Sequence, residues 1–155
     1  NIKALVLGGH GDTMVPMTSL TTVNGKSLKQ LLAENKITKE KLDAIIDRTR
    51  NGGGEIGKLL QKASAYYAPA TSGIEMAESY IKNLKKTLPC AAYLNGEYGV
   101  KNLYAGVPVV IGDKGVEKIV EIDLNAEEKK NFEVSITAVK ELFKAAVKID
   151  PSLGK

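Results

Sequence analysis

The spacing of apolar residues changes along the 155-residue chain, and each spacing predicts a different kind of element. Residues 2–7 are apolar apart from Lys3, which predicts a buried strand at the start of the chain. Residues 19–23 predict a second short strand, because Asn24-Gly25 directly behind them is a strong signal for a tight turn. The first part of the chain is therefore predicted to form short strands joined by glycine-containing turns.

The middle of the chain has the three- and four-residue spacing of amphipathic helices. Ser27 is the predicted N-cap of a short helix that ends near Asn35, and Thr38 is the predicted N-cap of a longer helix. The apolar residues of the longer helix stand at positions 42, 45, 46, 56, 59 and 60. Pro69 predicts the start of a third helix, since proline is tolerated in the first helical turn.

Gly52-Gly53-Gly54 lies within the apolar spacing of the second helix. A glycine inside a helix costs about 1 kcal/mol relative to alanine. Three in succession indicate close helix–helix packing, a break in the helix, or the approach of a ligand to the backbone. Arg48 and Arg50 flank the cluster and leave an anion site open, although no strand precedes it as a phosphate-binding loop requires.

From residue 88 the spacing changes to that of strands. Residues 90–94, 103–111 and 116–124 predict an antiparallel meander with turns at Asn95-Gly96 and at residues 112–115. Asn125 and Glu128 form the pattern of a capping box before a last helix. The apolar stripe of that helix is Phe132, Ile136, Val139, Phe143 and Val147. The predicted fold is a single α+β domain over residues 1–155, with a mostly antiparallel sheet packed against helices.

Composition and charge exclude several classes of protein. Hydrophobic residues make up 43% of the chain and charged residues 26%, as in an ordinary globular domain. The net charge of +4 comes from lysines interspersed with acidic residues, so we expect no nucleic-acid partner. No apolar run approaches the ~20 residues of a membrane span. Cys90 is the only cysteine and cannot form an internal disulfide, which favours a reducing, cytoplasmic location.

His10 is the only histidine, and it stands in the sequence Gly8-Gly9-His10-Gly11-Asp12 directly after the first predicted strand. Histidine can donate or accept a proton near neutral pH, and glycines on both sides leave room for a ligand to approach the ring. A partly buried ring with a purely structural role is the alternative interpretation. With one histidine and one cysteine in the whole chain, the sequence predicts no metal site.

Several segments, in the same order along the chain, resemble the lactate/malate dehydrogenase family. The first is the histidine motif, residues 8–16, and the others are residues 47–56, 64–70, 94–99, 106–112 and 115–119. Within the family, the second and third segments resemble bacterial malate dehydrogenases of the lactate-dehydrogenase-like type. The resemblance covers essentially the whole chain, and it identifies residues 1–155 as the C-terminal substrate domain, without the Rossmann domain that binds NAD.

The resemblance implies that His10 is the proton donor and acceptor at the substrate oxygen. In this family an aspartate and two arginines from earlier segments orient the ring and bind the substrate. Asp12, Arg48 and Arg50 do not match those positions and receive no role. Ala65 matches a position that lines the substrate pocket, and Pro69 matches one near the nicotinamide ring; packing at a helix start is an equal alternative for both.

The function that these implications favour is the interconversion of malate and oxaloacetate with NAD. The alternative substrate pair is lactate and pyruvate, because the discriminating loop lies outside this sequence. The expected partners are a small dicarboxylate substrate, an N-terminal NAD domain and further copies of the same chain. The chain opens at a strand on Asn1, without methionine, which suggests a piece of a longer protein. Alone, we expect it to be inactive, or to act only as a self-associating structural module.

Overall fold

Eight strands and four helices form the fold of residues 1–154, which are the residues that the computed structural model describes. The strands are β1 (Ile2–Lys3), β2 (Val6–Leu7), β3 (Val15–Pro16), β4 (Thr22–Val23), β5 (Lys26–Ser27), β6 (Lys86–Asn95), β7 (Lys101–Gly112) and β8 (Gly115–Ile119). The helices are α1 (Leu28–Ala33), α2 (Lys39–Leu60), α3 (Tyr67–Ile81) and α4 (Ala126–Ile149). Two short 3-10 turns, Glu97–Gly99 and Pro151–Gly154, complete the chain.

The main sheet is the predicted antiparallel meander, in the order β6-β7-β8. β6 and β7 form a long hairpin in which Leu94 stands opposite Leu103. The third strand is shorter than predicted: β8 ends at Ile119, and residues 120–125 have no regular structure. There the Tyr98 hydroxyl donates to the Val120 carbonyl at 2.8 Å and accepts from the Ile122 amide at 3.1 Å. A side chain thus takes the place of a strand partner.

The hydrophobic core lies between this sheet and α4, which also packs against β3. Its buried members are Leu7, Val15, Met17, Ala92, Leu94, Val100, Leu103, Ala105, Val107, Val109, Ile111, Phe132 and Ile136. Asn125 and Glu128 form the predicted capping box of α4. The predicted stripe of α4 is buried only in its first half, and Phe143 is 45% exposed.

The prediction of one buried strand over residues 2–7 is wrong. The segment divides into β1, which pairs with β4, and β2, which pairs with β3. Ile2 is 71% exposed, whereas Leu7 is buried at 1%. The two halves find different antiparallel partners, so no single face of the segment points into the core. The predicted Asn24-Gly25 turn is confirmed, with φ angles of +50° and +81° at its two residues.

The second helix runs without interruption through Gly52-Gly53-Gly54, so a break at the glycines is excluded. A Cβ atom built on any of the three would meet no atom within 4 Å, so packing inside residues 1–154 does not explain them either. The third helix begins at Tyr67, two residues before the predicted start, and Pro69 occupies its first turn. None of the four described helices is long and apolar enough to cross a membrane.

Candidate active site

His10 stands in a loop, residues 8–14, that leaves the end of β2 and returns to β3. The loop is fixed to the central strand of the main sheet at its first residue. The Gly8 amide donates to the Gly106 carbonyl at 2.8 Å, and the Gly106 amide donates to the Gly8 carbonyl at 2.7 Å. This reciprocal pair places the residues after Gly8 at the edge of the core.

The glycines before His10 are required by packing rather than by a ligand. A Cβ on Gly8, whose φ is +90°, would lie 2.3 Å from the Ser135 Oγ atom. A Cβ on Gly9 would lie 2.9 Å from a methyl group of Val139. Real Cβ atoms do not approach other heavy atoms this closely, so only glycine lets the loop rest against α4. The two glycines before the ring thus face α4, whereas a Cβ on Gly11, directly after the ring, would meet no atom within 4 Å.

Two side chains from distant helices hold the loop by hydrogen bonds. The buried Ser135 of α4 accepts a hydrogen bond from the Gly9 amide at 2.8 Å. The Nε of Arg50, on α2, donates to the Met14 carbonyl at 3.2 Å. Arg50, which does not match the substrate arginines of the family, thus ties α2 to the far end of the loop. The only signal for Ser135 in the sequence is weak: it is a polar residue beside the apolar stripe of its helix.

The ring of His10 is at the surface of the described chain. The residue is exposed, and no ion pair or side-chain hydrogen bond within residues 1–154 involves its imidazole. Asp12, two residues further on, is also exposed. The ring can therefore be reached by a small molecule and by groups from outside the described residues.

A mainly apolar cavity of about 380 Å³ lies beside His10. Its walls come from β2, β6, β7 and α4, and include Pro89, Cys90, Tyr104, Val139 and Leu142. Burial raises the pKa of the Cys90 thiol, and its sulfur lies 3.3 Å from the sulfur of Met76. The thiol therefore stays protonated near neutral pH and acts as a small packing group.

The other two predicted site residues lie outside this cavity. Ala65 is half-buried in the segment that joins α2 to α3, and Pro69 is exposed in the first turn of α3. Neither residue lines the cavity beside His10. The described chain therefore presents His10 and the Ala65–Pro69 segment as separate features.

The two arginines that flank the glycine cluster have different surroundings. Arg48 forms a double hydrogen bond with Glu55 at 2.9 and 2.7 Å, on the exposed side of α2. This contact raises the pKa of Arg48 and lowers that of Glu55. Arg50 lines a cavity of about 500 Å³ between α1, α2 and α4. Among residues 1–154 no three histidine, cysteine or acidic side chains come together in a way that could hold a metal ion.

Residues 1–149 match the sequence model of a family described as lactate/malate dehydrogenase, alpha/beta C-terminal domain. The chain belongs to the lactate/malate dehydrogenase family. It is similar to a malate dehydrogenase from Pelagibacter ubique, with 62% identity over 154 residues, which are 99% of this chain and 48% of the relative. The chain thus spans about half the length of the curated relative that it matches.

Solved structures of the lactate/malate dehydrogenase family have the same fold as the described chain. A malate dehydrogenase from Cryptosporidium parvum superposes with a TM-score of 0.91 at 44% identity, over 93% of this chain and 46% of that one. A lactate dehydrogenase from Eimeria maxima, solved with NADH and oxamate, superposes with a TM-score of 0.92 at 45% identity, over 97% and 47%. The two enzymes differ in name but resemble this chain equally well.

Proposed function

We propose that this chain is the C-terminal half of an NAD-dependent malate dehydrogenase and that His10 exchanges the proton with the substrate oxygen. The observation that carries the proposal is an exposed histidine at the tip of a loop that is clamped to both β7 and α4. A general acid must be reachable by the substrate and fixed in position, and this loop meets both conditions. The identity of 62% to a malate dehydrogenase supports the same substrate class.

The proton chemistry of His10 follows from the reaction it would serve. Reduction of a 2-oxo acid adds a hydride to the carbonyl carbon and a proton to the carbonyl oxygen. Protonated His10 donates the hydrogen bond to that oxygen and then the proton; in the reverse direction the neutral ring accepts the proton of the alcohol. An imidazole has an ordinary pKa of ~6.5 and suits both directions at neutral pH.

The described residues do not form a dinucleotide-binding fold. A dinucleotide fold needs a glycine-rich turn between a parallel strand and a helix. Every strand pair here is antiparallel, and the glycine cluster lies inside α2. NAD and the hydride it carries therefore belong, in this proposal, to an N-terminal domain of the same polypeptide. That longer polypeptide is called the parent enzyme below.

Ala65 and Pro69 take the roles that their matches to the family imply. Ala65 lines the substrate pocket, where its small side chain leaves room for the second carboxylate, and Pro69 lies near the nicotinamide ring. Both would join His10 only when the N-terminal domain closes the site. In the parent enzyme we expect Ala65→Thr to raise the KM for oxaloacetate more than the KM for pyruvate.

The decisive experiment is a steady-state assay of the parent enzyme with NADH and either oxaloacetate or pyruvate. We expect kcat/KM to be higher for oxaloacetate, and His10→Gln to lower it by about 10²- to 10⁴-fold, the usual contribution of a general acid. A preference for pyruvate would make the enzyme a lactate dehydrogenase, the second candidate. An active His10→Gln variant would reject the role of His10.

The exposed apolar side chains of α2 and α3 favour an additional role in assembly. Leu59, Tyr67, Ile74 and Ile81 are each more than two-thirds exposed, which is costly in a chain that stays alone in water. We propose that the N-terminal domain and further copies of the chain cover them in a cytoplasmic homo-oligomer. The 155-residue chain alone is then inactive with malate and NAD, and self-associates in sedimentation experiments; a monomeric chain would contradict the assembly role.

A further inference from the structure

Ser135 is a buried polar residue on the side of α4 that packs against the core. Its nearest neighbours on that side of the helix are Phe132, Ile136 and Val139, all of which belong to the core or pack against it. Ser135 itself has no exposed surface. An alanine could fill most of the same space, so packing alone does not require a hydroxyl at this position.

The hydroxyl of Ser135 is used entirely by the His10 loop. Its oxygen accepts the hydrogen bond of the Gly9 amide at 2.8 Å, directly before His10, and lies 3.4 Å from the Thr13 Oγ1 atom, to which the hydroxyl can donate. A hydroxyl has one hydrogen to donate and lone pairs to accept with, so both contacts can exist together. The helix thereby holds the loop on both sides of the histidine.

The contact with Ser135 also requires a glycine at the start of the loop. Gly8 can approach only because it has no Cβ, which would stand 2.3 Å from the Ser135 oxygen. On the other side, Gly8 is paired with Gly106 of β7 through two backbone hydrogen bonds. The start of the loop that carries His10 is therefore held between a strand and a helix that both belong to the core.

We infer that Ser135 is a positioning residue for His10, acting through the Gly9 amide. This inference rests on the proposed function, in which His10 exchanges the proton. The ring itself has no hydrogen bond within residues 1–154, so the backbone of the loop determines where the imidazole stands. Loss of the Ser135 oxygen leaves a half-buried amide without a partner and frees the backbone on one side of the histidine.

The chain offers a matched control in Ser79 of α3. It is also fully buried, and its hydroxyl donates to the Ile111 carbonyl at 2.7 Å and accepts from the Lys86 amide at 3.2 Å. Ser79 contacts no residue of the His10 loop. Ser79→Ala therefore removes the same kind of buried contact from a place that the reaction does not use.

The test compares Ser135→Ala and Ser79→Ala in the parent enzyme. We expect Ser135→Ala to lower kcat with oxaloacetate by at least about tenfold with KM changed less than about threefold, since a small misplacement of a reacting group costs up to about 10²-fold. Ser79→Ala should keep kcat within about twofold at a similar loss of Tm. Hydrogen exchange of the peptide with residues 8–14 should quicken only in Ser135→Ala.

Each alternative outcome has a definite meaning. An inactive wild-type enzyme would overturn the proposed function, and the inference with it. An active wild type with equal kcat in both variants would overturn the inference alone. If Ser135→Ala does not fold, Ser135→Cys replaces it, because sulfur keeps the shape but accepts hydrogen bonds weakly. We expect the cysteine variant to lose kcat too, and full activity would contradict the inference.

Discussion

The two long helices of the chain begin alike and end in different environments. α2 has 22 residues with Thr38 as its N-cap, and α4 has 24 residues with a capping box at Asn125. Leu42 is the only residue that α2 buries, whereas α4 buries Glu128, Phe132, Ser135 and Ile136. The local signals for a helix are equally good in both. What differs is whether the described part of the chain supplies a surface for the helix to pack on.

The comparison divides the chain into a packed half and an open half. The packed half is the main sheet with β2, β3 and α4, and it contains almost the whole hydrophobic core. The open half is α2 with most of α3, where large apolar side chains remain at the surface, although Ser79 in the last turn of α3 is buried against β7. His10 stands on the packed half, while Ala65 and Pro69 stand on the open half. The division explains why the described chain holds these parts of the proposed site separately.

The largest expected difference in stability is between two leucine substitutions, one in each half. Leu94 is fully buried, and Leu94→Ala should lower the free energy of unfolding by about 2–5 kcal/mol, the range for leucines in a core. Leu59 is 76% exposed, and Leu59→Ala should change it by less than about 0.5 kcal/mol. Urea unfolding of the 155-residue chain measures both. Equal losses would remove the distinction between the halves.

A smaller effect should follow from Tyr98, which closes the packed half behind β8. Tyr98→Phe removes the hydroxyl between Val120 and Ile122 and should cost about 1 kcal/mol. Burial raises the pKa of the Tyr98 phenol above its ordinary value of 10. Because the folded pKa is raised, this stabilisation is present below pH 10 and is lost as the pH rises through the folded pKa.

The test for Tyr98 is the free energy of unfolding at about pH 8 and about pH 11, on either side of the ordinary phenol pKa. The wild type should lose more stability between them than Tyr98→Phe does. Tyr104, which is 64% exposed, provides the control, since Tyr104→Phe should keep the pH dependence of the wild type. A steeper alkaline loss in Tyr98→Phe would contradict the account.

The smallest expected effect is a gain in stability rather than a loss. A Cβ atom on Gly53 would meet no atom within 4 Å, so Gly53→Ala should stabilise the isolated chain by up to about 1 kcal/mol through helix propensity alone. In the packed half, Gly106→Ala should destabilise it, because the new Cβ would stand 2.7 Å from the Gly8 carbonyl oxygen. Thermal unfolding of both variants measures whether each substitution raises or lowers Tm. If Gly53→Ala stabilises the isolated chain but destabilises the parent enzyme, the glycines of α2 face a partner there.

The features that depend on neighbouring residues could be predicted from the sequence. The N-caps Ser27, Thr38 and Asn125 and the Asn24-Gly25 turn each involve atoms a few residues apart, and all are confirmed. The features that depend on distant contacts could not. The division of residues 2–7 depends on two separate strand partners, and the glycines before His10 depend on a helix more than 100 residues away in the sequence.

For the candidate site, the sequence pointed to His10 by its motif but left the residues that hold it unassigned. Ser135 and Arg50 lie on helices, and nothing in their own segments says which loop they contact. The resemblance to a family added Ala65 and Pro69, whose roles require surfaces that residues 1–154 do not include. Sequence thus indicated the proposed reacting group, and the structure added the contacts that hold its loop.

The contrast between the two halves is tested most directly by amide hydrogen exchange in the isolated chain and in the parent enzyme. We expect β7 and α4 to be protected in both, because their contacts lie within this chain. The amides of α2 and of residues 67–75 of α3 should exchange rapidly in the isolated chain and at least about tenfold more slowly in the parent enzyme. Equal protection of these amides in the two proteins would contradict the account.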